Sequence, residues 1–348
     1  MNHDKISTTQ AKYNNLFSWV ILTALIAVMC ASLKLGYGKI HEQFFQRDLL
    51  IQYYNQLRLT IGDRVFSPSV LVAENDWLEY TGDPNLNDYQ NAIPLTEDTL
   101  NKLNKRFKQV DTYAQENNIE ILVVIAPNKA TIYPENLPIQ IKKLGDKSRL
   151  DQITEFIPVY SNIRLLDLRE SLNKAKQKQD IYYKTDTHWN SFGAYQAYLE
   201  IIKALSQDYI ELQPVDMSVY QFTESYTTRD LANLIKAKQI KEVGLIPTIP
   251  TNAAKRINVT VSDGYMETVW TQNESMPTAL IYHDSFGRVS LNEYLALNFS
   301  RSYFIHNKSS EYFTHDTIEY LHPNIIIIEL AERNIAELEN ILSKIISK

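Results

Sequence analysis

The chain has a single cysteine, Cys30, and it lies inside an uncharged amino-terminal run, so the polypeptide beyond it forms no disulfide and is held by its core alone. Basic residues are not in excess either. The 35 Lys and Arg stand against 41 Asp and Glu, a net charge of −6, which offers no basic face to nucleic acid. There is no internal repeat and no low-complexity segment, which excludes a solenoid or a disordered array. A clean small-x-small cleavage site after the apolar run is also missing, and Met29 before Cys30 spoils a lipoprotein cleavage box.

What is present begins with Leu16 to Leu33, an 18-residue run without a charge, close to the ~20 residues that cross a bilayer as a helix. We expect a retained transmembrane signal anchor over residues 16–35, preceded by a short tail at residues 1–15. Charge does not orient it, because Lys5 and Lys12 precede the run and Lys34, Lys39 and Arg47 follow it. Residues 36–62 read as a membrane-proximal helix and connector, with Phe44, Phe45, Leu49, Leu50, Tyr53, Tyr54 and Leu57 at helical spacing. The remaining residues, 63–348, have an ordinary globular balance, with hydrophobic residues at 44% and charged ones at 22% over the whole chain.

Within 63–348 the pattern alternates as an α/β domain should. Ser69 to Asp83 reads as a hairpin turning at Glu74-Asn75-Asp76. Thr96 starts a helix whose Leu100, Leu103, Phe107, Val110 and Tyr113 form one stripe. Ile119 to Ala126 is apolar, β-branched and stopped by Pro127, the signature of a central parallel strand. Further strands are expected at 163–168, 278–282, 302–305 and 325–330, and helices at 190–205 and 332–346. Between Ser206 and Met276 the signals are weak; loops and a small β insertion are expected there, with strands at 257–261 and 266–270.

Two short segments carry the chemistry. Lys184-Thr185-Asp186-Thr187-His188-Trp189-Asn190 supplies a carboxylate and an imidazole one residue apart, and His283-Asp284-Ser285-Phe286-Gly287 supplies a hydroxyl at the carboxyl end of an expected strand. Three readings fit. Asp186 can cap the helix beginning near Asn190. Asp186, His188, His283 and Asp284 are all acceptable metal ligands, although their spacing matches no familiar site. Asp186, His188 and Ser285 can form a nucleophilic triad, and strand ends in α/β sheets are where active sites gather.

The residues then carry a resemblance. Asp76-Trp77-Leu78-x-Tyr80 with Gly82-Asp83, Ala126-Pro127-Asn128-Lys129 with Tyr133-Pro134-Glu135, and Ser148-Arg149-Leu150-Asp151 all belong to it. So do Tyr183 to Asn190 with Gly193-Ala194, Asp284-Ser285-Phe286-Gly287, and the Pro323 strand leading to Glu332-Arg333. Together they resemble the SGNH-hydrolase-like proteins of bacterial exopolysaccharide O-acetylation, of which the alginate O-acetyltransferases are best known. One departure is Arg229-Asp230-Leu231-Ala232 where relatives often have Gly-Asp-Leu-Ala. Another is that no room is left after the last strand for the carbohydrate-binding module some members append.

The resemblance implies a three-layer SGNH-hydrolase-like fold with a parallel central sheet. It implies Ser285 as nucleophile, His188 as general base and Asp186 as its orienting carboxylate, acting without metal or cofactor. An acetyl group would pass through an acyl-serine to hydroxyls of an exopolysaccharide or cell-envelope glycan. An acetylesterase with the same triad, or a non-catalytic assembly factor, are the rival expectations. For the oxyanion hole the Ser285 N–H is the first donor and Asn128 a second. Lys129 and Arg288 either meet an acidic sugar or the donor or are solvated surface cations. Trp189 either stacks on a sugar ring or is a buried aromatic beside the triad, and His283 is expected to be structural. The resemblance also implies a periplasmic domain tethered to the cytoplasmic membrane, beside a multi-spanning O-acyltransferase that supplies acetyl groups.

Overall fold

The structure is a computed structural model that describes residues 47–347 except 67, 68, 83, 160, 262, 263 and 272, together with Trp19, Thr23, Ile26 and Ala27. The tail at 1–15 and almost all of the expected anchor at 16–35 lie outside the described residues. Among the described residues no helix is long and apolar enough to cross a membrane. The chain divides into two compact units, Met1–Thr60 and Ile61–Lys348. In the first, helix α1 (Arg47–Thr60) is the described element.

The second unit is built on a seven-stranded sheet. Its strands are β4 (Glu120–Ala126), β5 (Arg164–Asp167), β8 (Ala254–Val261), β9 (Gly264–Thr271), β10 (Thr278–His283), β11 (Arg301–His306) and β12 (Ile325–Ala331). They run in the order β5-β4-β12-β10-β11-β9-β8. The first five in that order are parallel to their neighbours, while β9 is antiparallel to β11 and β8 to β9. The apolar runs explain the middle of this order. All seven residues of β12 are buried, as are six of the seven in β4, which only a strand covered on both faces tolerates.

Alternation along those strands separates two cores and so makes three layers. Leu122, Val124, Ile281, Ile325 and Ile327 face helix α4 (Ser191–Leu205) through Ala194, Tyr198, Ile201 and Leu205. Ile121, Val123, Ile125, Leu280, Ile326 and Ile328 face α2 (Glu97–Asn117), α3 (Arg149–Phe156) and α6 (Leu338–Ile346) on the other side. Helix α4 begins at Asn190, whose side chain accepts from the N–H groups of Phe192 and Gly193. Asn190, not Asp186, is therefore the cap.

Two smaller sheets lie outside these layers. The hairpin is joined by a short strand, giving β1 (Val65–Phe66), β2 (Val70–Val72) and β3 (Leu78–Tyr80). A two-stranded ribbon, β6 (Gln221–Thr227) with β7 (Glu242–Thr248), flanks the short helix α5 (Asp230–Leu234). This ribbon is the small β insertion. The central sheet is parallel as expected over five strands, but 257–261 and 266–270 are not part of a separate insertion: they belong to the main sheet and extend its β11 edge in the antiparallel sense. An uncovered β11 would expose a row of unpaired amides, and the β8–β9 hairpin covers it.

Candidate active site

Three neighbouring strands, β4, β12 and β10, end along one edge of the sheet. After β10 the chain turns sharply, and buried carboxylates receive its N–H groups. Asp284 Oδ1 accepts from Phe286 N at 2.8 Å, and its Oδ2 accepts from Ala331 N and Asn334 Nδ2, both at 2.8 Å. Glu329 on β12 accepts from Asp284 N at 3.2 Å and Gly287 N at 3.0 Å. Position 287 has no room for a side chain, because a Cβ there would sit 2.6 Å from the Cβ of His283. Ser285 is thus presented between two pinned neighbours. The turn runs on as a π-helical turn, Gly287–Leu291, in which Ser290 takes φ 72°.

The second half of the site is the loop from Tyr182 to Asn190. Its ends are closed by the Tyr182–Trp189 bridge and by Asn190 N donating to Ile181 O at 2.9 Å. Within it Asp186 Oδ1 accepts from His188 Nδ1 at 2.7 Å and from His188 N at 3.1 Å. His188 Nε2 lies 2.8 Å from Ser285 Oγ. With Nδ1 protonated toward the carboxylate, Nε2 is left to accept the seryl proton. Burial alone pushes the Asp186 carboxyl up, but the hydrogen bond and charge of His188 hold it at about 2. Trp189 ties the two halves together, its indole N–H donating to Phe286 O at 3.1 Å and Val289 O at 3.0 Å.

Of the other site residues read from the sequence, Asn128 is placed at the same edge. It is fully buried, Glu332 fixes its backbone N–H at 2.9 Å, Arg333 reaches its Oδ1 at 3.4 Å, and its Nδ2 has no acceptor. Lys129 is a correction. It is 3% exposed, and its ammonium is taken up by the carbonyls of Leu78, Tyr183, Lys184 and Asp186, so it does not reach substrate. Trp189 is 0% exposed and stacks on no sugar; its ring packs edge-on against Phe286 at 4.9 Å. Arg288 is exposed on the surface and does not line the cavity over Ser285. His283 is buried, with Nδ1 on Asp284 O at 2.8 Å and Asn292 Nδ2 on its Nε2 at 3.1 Å, and burial lowers its pKa to about 4.

The four-residue metal reading does not assemble, since Asp284 and His283 spend their polar atoms inside the nucleophile turn. Among the described residues, the grouping within reach of one ion is Asp186, His188 and Asp230. Asp230 escaped notice in the sequence as a site residue. It accepts from Thr187 N at 2.8 Å and Thr187 Oγ1 at 2.5 Å, and lies 3.6 Å from His188 Nδ1. Arg229 before it is extended, with its guanidinium 4.0 Å over the Tyr183 ring. Ser285 and His188 open into a cavity of about 310 Å³ lined by Tyr80, Thr187, Asp230, Leu231, Leu234 and Arg333. Wider hollows of about 530 and 560 Å³ elsewhere are lined by no serine.

Comparison with known proteins follows the same lines. A family described as "SGNH hydrolase-like domain, acetyltransferase AlgX" matches residues 70–281, more than half of the chain. The chain belongs to this family. The match to the AlgX-type domain takes in Asp186 and His188 and stops just before Ser285. The probable alginate O-acetylase AlgJ of Azotobacter vinelandii is 29% identical over 135 residues, which is 36% of this chain and 31% of that one. The chain thus spans under a third of that relative's length. Among solved structures, a DHHW family protein from Eubacterium siraeum superposes with a TM-score of 0.59 at 17% identity, covering 82% of this chain and 99% of that one. Bacillus cereus PatB1, solved with a sulfonyl adduct, gives 0.58 at 17% identity over 76% and 94%. The O-acetyltransferase domain of Pseudomonas putida AlgJ gives 0.52 at 18% identity over 78% and 99%. These likenesses establish an SGNH-like α/β fold for this AlgX-family chain.

Proposed function

We propose that the chain is an O-acetyltransferase that moves an acetyl group through Ser285 onto hydroxyls of an exopolysaccharide or cell-envelope glycan. The observation that carries this reading is the unbroken chain from Ser285 Oγ to His188 Nε2, at 2.8 Å, and from His188 Nδ1 to Asp186, at 2.7 Å, opening into a cavity. Membership of an acetyltransferase family and the alginate O-acetylase relative support the choice of group and of acceptor class.

The steps follow from the geometry. His188 Nε2 takes the proton of Ser285 Oγ as the oxygen attacks the acetyl carbonyl of a donor. Asp186 stays ionised and stabilises the imidazolium. Charge collects on the carbonyl oxygen, and the two donors proposed for it are the Ser285 N–H and the buried Asn128 Nδ2, the latter without an acceptor among the described residues. Such donors are worth about 2.7–4 kcal/mol each in acyl-transfer enzymes. The leaving group departs with the proton from His188, leaving acetyl-Ser285. A sugar hydroxyl then gives its proton to His188 and attacks the ester, and Ser285 recovers its proton.

We also propose that the domain works outside the cytoplasm, tethered by the amino-terminal run to the cytoplasmic membrane beside a multi-spanning O-acyltransferase. Tethering raises the effective concentration of the transferase near its donor. The test is to incubate the full-length protein with an activated acetyl ester and an oligosaccharide and to read the products by mass spectrometry. Acetylated sugar and a transient +acetyl mass on Ser285 are expected. Free acetate alone, with no acetylated sugar, sinks the transferase reading in favour of an esterase. Polymer acetylation in cells that survives Ser285→Ala sinks both in favour of an assembly role.

A further inference from the structure

Lys129 is a buried cation that none of the steps above uses. Its ammonium lies 2.5 Å from Leu78 O, 2.6 Å from Asp186 O, and 3.2 Å from both Tyr183 O and Lys184 O. Three of those carbonyls belong to the loop that carries the base, and the fourth belongs to β3. The Trp77 ring stands 5.5 Å from the same nitrogen. Burial lowers the Lys129 pKa, and Glu79, Asp186, Asp230 and Glu242 oppose that shift. An ammonium has three protons, so four carbonyls at these distances form a cage in which two bonds are short and two are shared. The arrangement is what a backbone site for a small monovalent cation looks like, with the cation delivered on a side chain.

We infer that Lys129 is the positioning residue of the site: its ammonium acts as a built-in monovalent cation that draws the carbonyls of residues 183, 184 and 186 to one point and thereby sets where Asp186 and His188 stand relative to Ser285. This rests on the triad reading given above. Without the charge the three loop carbonyls repel one another and the turn from Tyr183 to Asp186 opens. The shift reaches His188 through the two hydrogen bonds that it makes to the Asp186 carboxylate.

The test separates charge from packing. Lys129→Met keeps the volume without the charge, and Lys129→Ala leaves a hole into which methylammonium fits. Sulfonylation of Ser285 is followed by mass spectrometry in the full-length protein, with Ser285→Ala as the control for the nucleophile. Lys129→Met is expected to react about 100-fold more slowly, the scale of loss for a misplaced catalytic group. Lys129→Ala is expected to be similarly slow and to regain part of the lost rate in methylammonium chloride but not in equimolar tetramethylammonium chloride, whose cation is too large. A second readout does not depend on the serine: the downfield proton resonance of the His188 Nδ1–H, shared with Asp186, is expected to vanish in Lys129→Met and to return with methylammonium in Lys129→Ala.

Reaction of Lys129→Met within threefold of wild type overturns the inference, as does rescue by both cations alike. Loss of cooperative thermal unfolding in both variants also overturns it, because Lys129 would then hold the fold and not the loop. If wild type and Ser285→Ala behave alike toward the sulfonyl probe, the triad reading has failed, and the resonance alone still decides the role of Lys129.

Discussion

The turn around Ser285 and the loop around His188 meet at the hydrogen bond between those two side chains, yet different parts of the molecule hold them. Asp284 and Glu329, which grip the turn around Ser285, follow or belong to central strands of the main sheet. The loop around His188 is gripped mostly from outside that sheet. Lys129 joins it to β3, Glu242 of the β6–β7 ribbon accepts from Lys184 N, Thr185 N and Thr185 Oγ1, and Asp230 of α5 accepts from Thr187. The lesson is that the turn around Ser285 is a property of the core, whereas the loop around His188 is held in large part by peripheral elements. Trp189 bridges the two halves from within.

The largest effect is expected at the junction. Ser285→Ala should abolish acylation, and Asp186→Asn should lower kcat about 10³–10⁴-fold by releasing the wrong tautomer of His188. Thermal unfolding of both variants should stay close to wild type. Next comes the bridge. Trp189→Phe keeps the ring but strands the carbonyls of Phe286 and Val289, at about 1–3 kcal/mol by denaturant titration. It should slow acylation as well, since both halves are released together.

A matched pair of substitutions tests the comparison more directly. Burial holds the Glu329 carboxyl well above the ordinary carboxylate range, and an amide oxygen can accept the same two N–H groups. Glu329→Gln should leave unfolding and acylation near wild type. Glu242→Gln puts an NH₂ against N–H donors of the base loop and should slow acylation about fivefold, near 1 kcal/mol. The opposite ranking breaks the contrast between core and periphery.

The smallest effect is an order of events in acid. Buried His283 titrates at 6.5 unfolded and about 4 folded, so its contribution is present above pH 6.5 and is lost as pH falls toward 4, at most about 3 kcal/mol. Asp186 is depressed from 3.8 to about 2, so its contribution is complete above pH 3.8 and is lost only as pH falls to about 2. Stability measured against pH should therefore fall first through the nucleophile half, and His283→Gln should flatten the slope between pH 6.5 and 4.

Much of this was legible before any coordinates. The runs 119–126, 278–282 and 325–330 announced the central strands because only β-branched apolar residues survive burial on both faces. Asp186, His188 and Ser285 were legible because two lie one residue apart and the third follows a strand. The ribbon was not, since QFTESYT has too little apolar content to declare a face and six of its seven residues remain exposed. Lys129 misled because lysines are seldom buried, and its four carbonyl partners come from segments 51–57 residues away. Asp230 was hidden for the same reason, its partner Thr187 being 43 residues back along the chain.

The wall of the cavity formed by Leu231 and Leu234 is carried on α5, a five-residue helix outside the main sheet. Substitutions at those two positions reshape the cavity beside Ser285 from a helix that lies outside the main sheet. On the proposed transferase reading, selection can move the acceptor from one glycan to another by small steps along one short helix while the reaction stays constant.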